Sequence, residues 1–229
     1  LEQKLISRFS GYQLGEKEVI NQVFAIWYFI QSKGIKYSSI SNTSKYSTKV
    51  NSQYIRFFDE VYRNRQANCI DACAFMASIL KKIGLTPVIF VEPKHAYLGF
   101  YKDKNKKKLV LLETTLVGAI DLTTIDEKVD TATGLLPQSE LDKYKIHLSQ
   151  KDMDNYLSGK TDLEKLKQTI SRSNFNNAMN YNVNRYNKNR KLFTESKNQN
   201  YHKLDIAELR ELVQPIRSRG GRLSTMRNL

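Results

Sequence analysis

The chain has 229 residues, a formal net charge of +14 and 40% hydrophobic residues. That length fits one large domain, or one domain plus an appendage, and no apolar run approaches the ~20 residues needed to span a bilayer. The positive balance favours an acidic partner such as nucleic acid or an anionic surface, although a basic soluble surface accounts for it as well.

The start, "LEQKLISRFS", lacks a methionine and a signal-peptide apolar stretch, as expected for a piece of a longer protein or for a chain whose signal has been removed. Apolar residues Ile20, Val23, Phe24 and Trp27 have the spacing of one helix face, and Gly34 is the expected C-cap. A helix is therefore expected over residues 15–33. "SSISNTSKYSTKVNS" reads as a polar loop. A second helix is expected over 53–64, with Ile55, Phe58 and Tyr62 on one side. "CIDACAFMASILKKIG" is a strong helix, running from Cys69 to Lys82 and stopping at Gly84. Three strands follow, at 87–93, 95–102 and 107–115, the last two separated by a charged turn. Beyond Gly118 the pattern weakens into loops with room for one strand. From about residue 150 the chain is polar and lysine-rich with weak helical periodicity. The end, "IRSRGGRLSTMRNL", reads as a basic, disordered tail, with a linker or a self-cleavage region as the functional alternatives.

Cysteine usage is sparse. Cys69 and Cys73 are the only two, four residues apart on the expected helix. They form neither a disulfide framework nor a zinc pair. A reducing, cytoplasmic compartment is the simpler expectation, with a removed N-terminal signal the alternative. His147 and His202 have no metal-ligand spacing around them. No metal or cofactor is expected.

Three residues suggest chemistry. Cys69 falls at a helix start, where free N–H groups and the helix dipole favour a thiolate and offer part of an oxyanion hole. Asn68 before it is a good N-cap type. If the strands at 95–101 and 107–115 form a hairpin turning near Lys104, His95 stands opposite Glu113 on the same face. The carboxylate would then orient the imidazole, leaving its other nitrogen for the cysteine. A slip of one residue would destroy the pairing. Cys73, one turn further along, reads as a small buried residue. Asp71, in the helix's first turn, is either a carboxylate favoured by the dipole or an anchor for the preceding loop. Gln66 is either a polar loop residue or an amide donor to an oxyanion.

The stretch "NCIDACAFMASILKKIGLTPVIFVEPKHAYLGF", with "LLETT" after it, resembles the core of bacterial transglutaminase-like cysteine peptidases. The upstream "QYIRFFDEVYRNRQA" is similar to the same subgroup. The likeness covers residues 15–118, with its specific positions between 65 and 118. It implies an α+β fold with a papain-like core, in which N-terminal helices pack on a mainly antiparallel sheet. It also implies Cys69 as nucleophile, His95 as base and Glu113 as the acidic third member. The expected organisation is a peptidase domain over 1–150 and a basic helical extension with a flexible tail over 151–229. Two positions depart from the subgroup's pattern: its glycine after Cys-x-Asp is Ala72, and its "PGH" is "PKH", with Lys94 beside the histidine. A lysine there disfavours an imidazolium unless its side chain points away, as strand alternation predicts.

The implied activity is thiol-dependent hydrolysis of an amide, with a protein or peptide substrate and an acyl-enzyme intermediate. Deamidation and transglutamination are alternative chemistries on such a fold. The alternative of another class is a non-catalytic module binding nucleic acid or an acidic partner. Its support is the run of Arg172, Arg185, Lys188, Arg190 and Lys191 among Tyr181, Tyr186 and Phe193. No nucleic-acid-binding motif accompanies that run.

Overall fold

The computed structural model describes residues 9–38, 55–195 and 199–213. The polar loop after Ser38, the first residues of the helix expected from 53 and the basic tail fall outside them.

The first helix, α1 (Glu16–Ser32), ends at Gly34, whose φ of 65° suits a residue without a Cβ. Its buried stripe is Val19, Val23, Ile26, Trp27 and Ile30. Ile20 and Phe24, expected at its centre, are only half-buried at its flank. Two glutamines, Gln22 and Gln31, share the buried face. Gln31 donates to the Val117 carbonyl at 3.1 Å and to Asn174 at 3.0 Å, and it accepts from Ser171 at 2.6 Å. A satisfied polar network of this kind fixes one packing arrangement.

A two-residue strand, β1 (Lys36–Tyr37), pairs in parallel with β2 (Gln66–Ala67). Between them α2 is short, Phe58–Asn64, and residues 55–57 are not helical. Val61 is its buried residue, whereas Ile55, Phe58 and Tyr62 remain exposed. Phe58 nevertheless stacks on Phe75 at 4.4 Å between ring centroids. Phe75 belongs to α3 (Cys69–Lys82), the central helix.

Strands β3 (Pro87–Glu92), β4 (His95–Tyr101) and β5 (Leu109–Leu112) form an antiparallel meander, and β6 (His202–Asp205) pairs with the free side of β3. The strand order is β5-β4-β3-β6. The protein is thus α+β with an antiparallel sheet. Both faces of the sheet are covered, which explains the near-continuous apolar runs of β3 and β4. Ala96, Leu98, Phe100 and Leu112 pack toward α1 and α3. Phe90, Tyr97 and Leu111 pack toward Phe193 and Tyr186.

Residues 120–162 hold 3-10 turns and two helices, α4 (Gln138–Leu141) and α5 (Gln150–Leu157), and no strand among the described residues. They bury a separate apolar cluster that includes Leu122, Leu141 and Tyr156. Next come α6 (Leu163–Tyr181) and α7 (Val183–Asn189), with α8 (Ile206–Leu212) after β6. From α6, Phe175 and Ala178 enter the same core as α1 and α3, and Phe175 lies 5.6 Å from Trp27 between ring centroids. Residues past 150 therefore help build the core of the first 150. Among the described residues no helix is long and apolar enough to cross a membrane.

A 3-10 turn over Thr114–Ala119 presses its Gly118 against β1. A Cβ on Gly118 would stand 2.4 Å from the Tyr37 nitrogen and 3.0 Å from Lys36 backbone atoms, and backbone cannot swing aside. At Gly99 the two tightest contacts of a Cβ would be side chains, Phe90 at 2.8 Å and Leu109 at 3.0 Å, with the Val110 carbonyl at an ordinary 3.4 Å. Gly118→Ala is expected to destabilise by about 3 kcal/mol and Gly99→Ala by about 1–2 kcal/mol, an order that urea denaturation of the two variants will check.

Candidate active site

Cys69 is the first residue of α3 and is half-buried. The chain turns into the helix there through a reciprocal cap. Asn68 Oδ1 accepts from the Asp71 N–H at 2.9 Å, and Asp71 Oδ2 accepts from the Asn68 N–H at 3.1 Å. Asp71 is fully buried, and Arg56 supplies its remaining donors, the backbone N–H at 2.8 Å and Nη1 at 2.6 Å. Asp71 thus anchors the incoming loop to the helix start. At the first helical position the Cys69 N–H has no intrahelical acceptor. Gln66 is exposed in β2.

His95 opens β4 directly after the Pro93–Lys94 turn. Lys94 has φ 66°. Proline followed by a positive φ is the pattern of a type II turn, whose second central residue favours glycine. The lysine therefore costs about 1 kcal/mol or more that a glycine would not incur. Its side chain is exposed and it is not among the groups that shift His95.

Glu113 lies one residue past the end of β5, because its N–H donates to the Ala178 carbonyl of α6 at 3.0 Å instead of continuing the ladder. The hairpin pairs Leu98 with Leu112 and Tyr101 with Leu109. Continuing that register sets Glu113 against Tyr97, so the expected pairing with His95 is off by two residues. A two-residue offset keeps the same face, and diagonal neighbours remain within reach of long side chains. His95 Nε2 and Glu113 Oε2 are 2.7 Å apart. Glu113 is 1% exposed. It accepts three further hydrogen bonds: from the Thr115 N–H at 3.1 Å, from Thr115 Oγ1 at 2.7 Å and from Asn182 Nδ2 at 2.7 Å.

The Cys69 side chain lies close enough to the His95 ring to raise its pKa. With Nε2 engaged by Glu113, Nδ1 is the nitrogen left for sulfur. The neighbouring Cys69, then the hydrogen bond to Glu113, raises the His95 pKa to about 9 against a partial offset from burial. Burial alone would push the Glu113 carboxyl up, but His95, Thr115 and Asn182 together hold it below its usual value. The arrangement combines a thiol, an imidazole that stays protonated at neutral pH, and a carboxylate that orients it.

Cys73 is fully buried, 3.3 Å from Thr114 Oγ1, and burial pushes its pKa upward. Tyr37 lies near the site: burial raises its hydroxyl pKa first, and its neighbours Cys69 and Glu113 add to the rise. Tyr37, Thr115 and Asn182 were missed in the sequence. For Thr115 a signal existed, since a carboxylate two residues before a threonine can cap its N–H. For Asn182 none did, because the contact joins positions far apart in the chain. In the basic run, Arg185 pairs with Glu92 at 3.0 Å, while Tyr186 and Phe193 are spent on packing against Phe90. Of its three aromatics only Tyr181 is exposed.

The raised His95 pKa links to stability. Its contribution is complete below about pH 6.5, the usual value, and is lost as pH rises through about 9. Between those limits the urea midpoint of the wild-type protein should fall by more than that of His95→Ala. Comparison of the chain with family models, with curated proteins and with solved structures finds no match.

Proposed function

We propose that the protein is a thiol-dependent amide hydrolase of the transglutaminase-like cysteine peptidase kind, with Cys69, His95 and Glu113 as its catalytic triad. The observation that carries this reading is the His95 ring, hydrogen-bonded to the buried Glu113 carboxylate and lying near the Cys69 thiol. A core histidine needs one partner, whereas this one is bonded to a buried carboxylate and also lies near a thiol at a helix start, the groups that nucleophilic catalysis requires.

In this reading the Cys69 sulfur attacks the carbonyl carbon of a peptide amide, and the developing oxyanion is met by N–H groups at the start of α3, with the Gln66 amide as a further donor. The His95 imidazolium gives its proton to the departing amine, leaving a thioester on Cys69 and a neutral imidazole. Water then enters, His95 takes its proton, and collapse of the second tetrahedral intermediate releases the carboxylic acid and the thiol. Glu113 keeps the imidazole in one orientation throughout and stabilises its charged form. The fitting substrate class is protein or peptide. Supplying an amine in place of water, and profiling products by mass spectrometry, separates hydrolysis from acyl transfer.

Thiol alkylation tests the site without a known substrate. Cys69→Ala should abolish both labelling at pH 6 and peptide cleavage. His95→Ala should slow Cys69 labelling at pH 6 by about 10²-fold or more, and Glu113→Gln should slow it less. Cys73→Ala should leave the rate close to wild type. An unchanged rate in His95→Ala would remove the thiolate–imidazolium pair and with it the proposal.

A further inference from the structure

Asn182 lies at the junction of α6 and α7, in the segment that sequence reading treats as an extension. Asparagine is a preferred helix N-cap, and Asn182 occupies the N-cap position of α7, where its carbonyl accepts the first helical bond from Tyr186 at 2.8 Å. Yet its side chain makes no capping hydrogen bond. It is fully buried, and its Nδ2 donates to Glu113 Oε2 at 2.7 Å. Its Oδ1 is buried without a hydrogen-bond partner among the described residues. Burying an amide with half of its polar capacity unused is unfavourable. The bond to Glu113 is what offsets that cost, so capping does not explain this residue.

We infer that Asn182 is a positioning residue for Glu113: it keeps the buried carboxylate ionised and aimed at His95, so that the α6–α7 junction completes the site. The two carboxylate oxygens are held from different sides. Thr115 holds Oε1 from within the 3-10 turn, whereas Asn182 shares Oε2 with His95. Oε2 is the oxygen that matters for the imidazole, and Asn182 is its second donor. The role extends the triad reading given above and rests on it for its effect on Cys69. The Asn182–Glu113 bond itself can be tested separately.

The sign follows from the chemistry. Losing a donor destabilises the carboxylate, so the Glu113 pKa rises toward its usual value. As pH falls, Glu113 is then neutralised earlier, the imidazolium loses its anionic partner, and Cys69 reactivity is lost at a higher pH. In Asn182→Ala the Glu113 carboxyl midpoint, read by 13C NMR, should rise by about half to one pH unit. The acid limb of Cys69 alkylation should move up with it. Asn180→Ala is the control: Asn180 is exposed, its side chain bonds only within α6, and its profile should match wild type. Wild-type protein gives a readout that needs no variant to fold: the Asn182 side-chain amide protons should titrate with the same midpoint as the Glu113 carboxyl.

An unmoved acid limb, a loss of rate that is uniform across pH, or an Asn182 amide that ignores the Glu113 titration would overturn the assignment. If wild-type Cys69 shows no His95-dependent labelling at low pH, the triad reading fails. The paired NMR titration still decides whether Asn182 controls Glu113.

Discussion

A carboxylate removed from water must recover its solvation from fixed donors, and this constraint organises the structure around Glu113. Leaving such a charge unpaired inside a protein costs several kcal/mol. Four hydrogen bonds meet it here, from His95, Asn182 and both polar groups of Thr115. They come from the start of β4, the 3-10 turn and the α6–α7 junction. Together they compensate the buried charge, so the burial of Glu113 ties the α6–α7 junction to the sheet in addition to the apolar contacts of Phe175 and Ala178.

A second buried carboxylate serves the other half of the site. Asp71 takes its donors from Asn68 and Arg56, locking the loop before Cys69 to the first turn of α3. The two carboxylates flank the Cys69–His95 pair, one rigidifying the helix that carries sulfur and the other the ring that faces it. Such supporting shells restrict a reactive side chain to one rotamer and one direction. The strained Lys94 turn belongs to the same design, since it delivers His95 to the first position of β4, where the ring can reach past the strand end.

Much of the candidate site was legible because it rests on short-range rules. The N-cap of α3, the helix beginning at Cys69 and the strand beginning at His95 each follow from local composition. The pairing of His95 with Glu113 came from a register two residues away from the observed one, yet it reached the right face. Side-chain direction repeats every two residues, so the error cancelled where an error of one would not have. What local pattern could not supply was the end of β5. Its ladder stops at Leu112 because the next N–H is claimed by Ala178 of α6, and no rule applied to residues 107–115 contains that helix. For the same reason the polar segment "HKLD" gave no strand signal: β6 exists because β3 offers it a free edge.

The sequence by itself determined the α+β character, the central helix and hairpin, and the identity of a thiol, an imidazole and a carboxylate in workable order. Those features depend on periodicities of two and 3.6 residues and on capping chemistry, all carried within a few residues of chain. Only the tertiary structure decided which face of α1 is buried, how Tyr37 comes to lie near Cys69, and that an asparagine from the α6–α7 junction holds Glu113. These are contacts between segments distant along the chain. Their donors and acceptors find each other because burial leaves no water to satisfy them, a condition that exists only once the chain has folded.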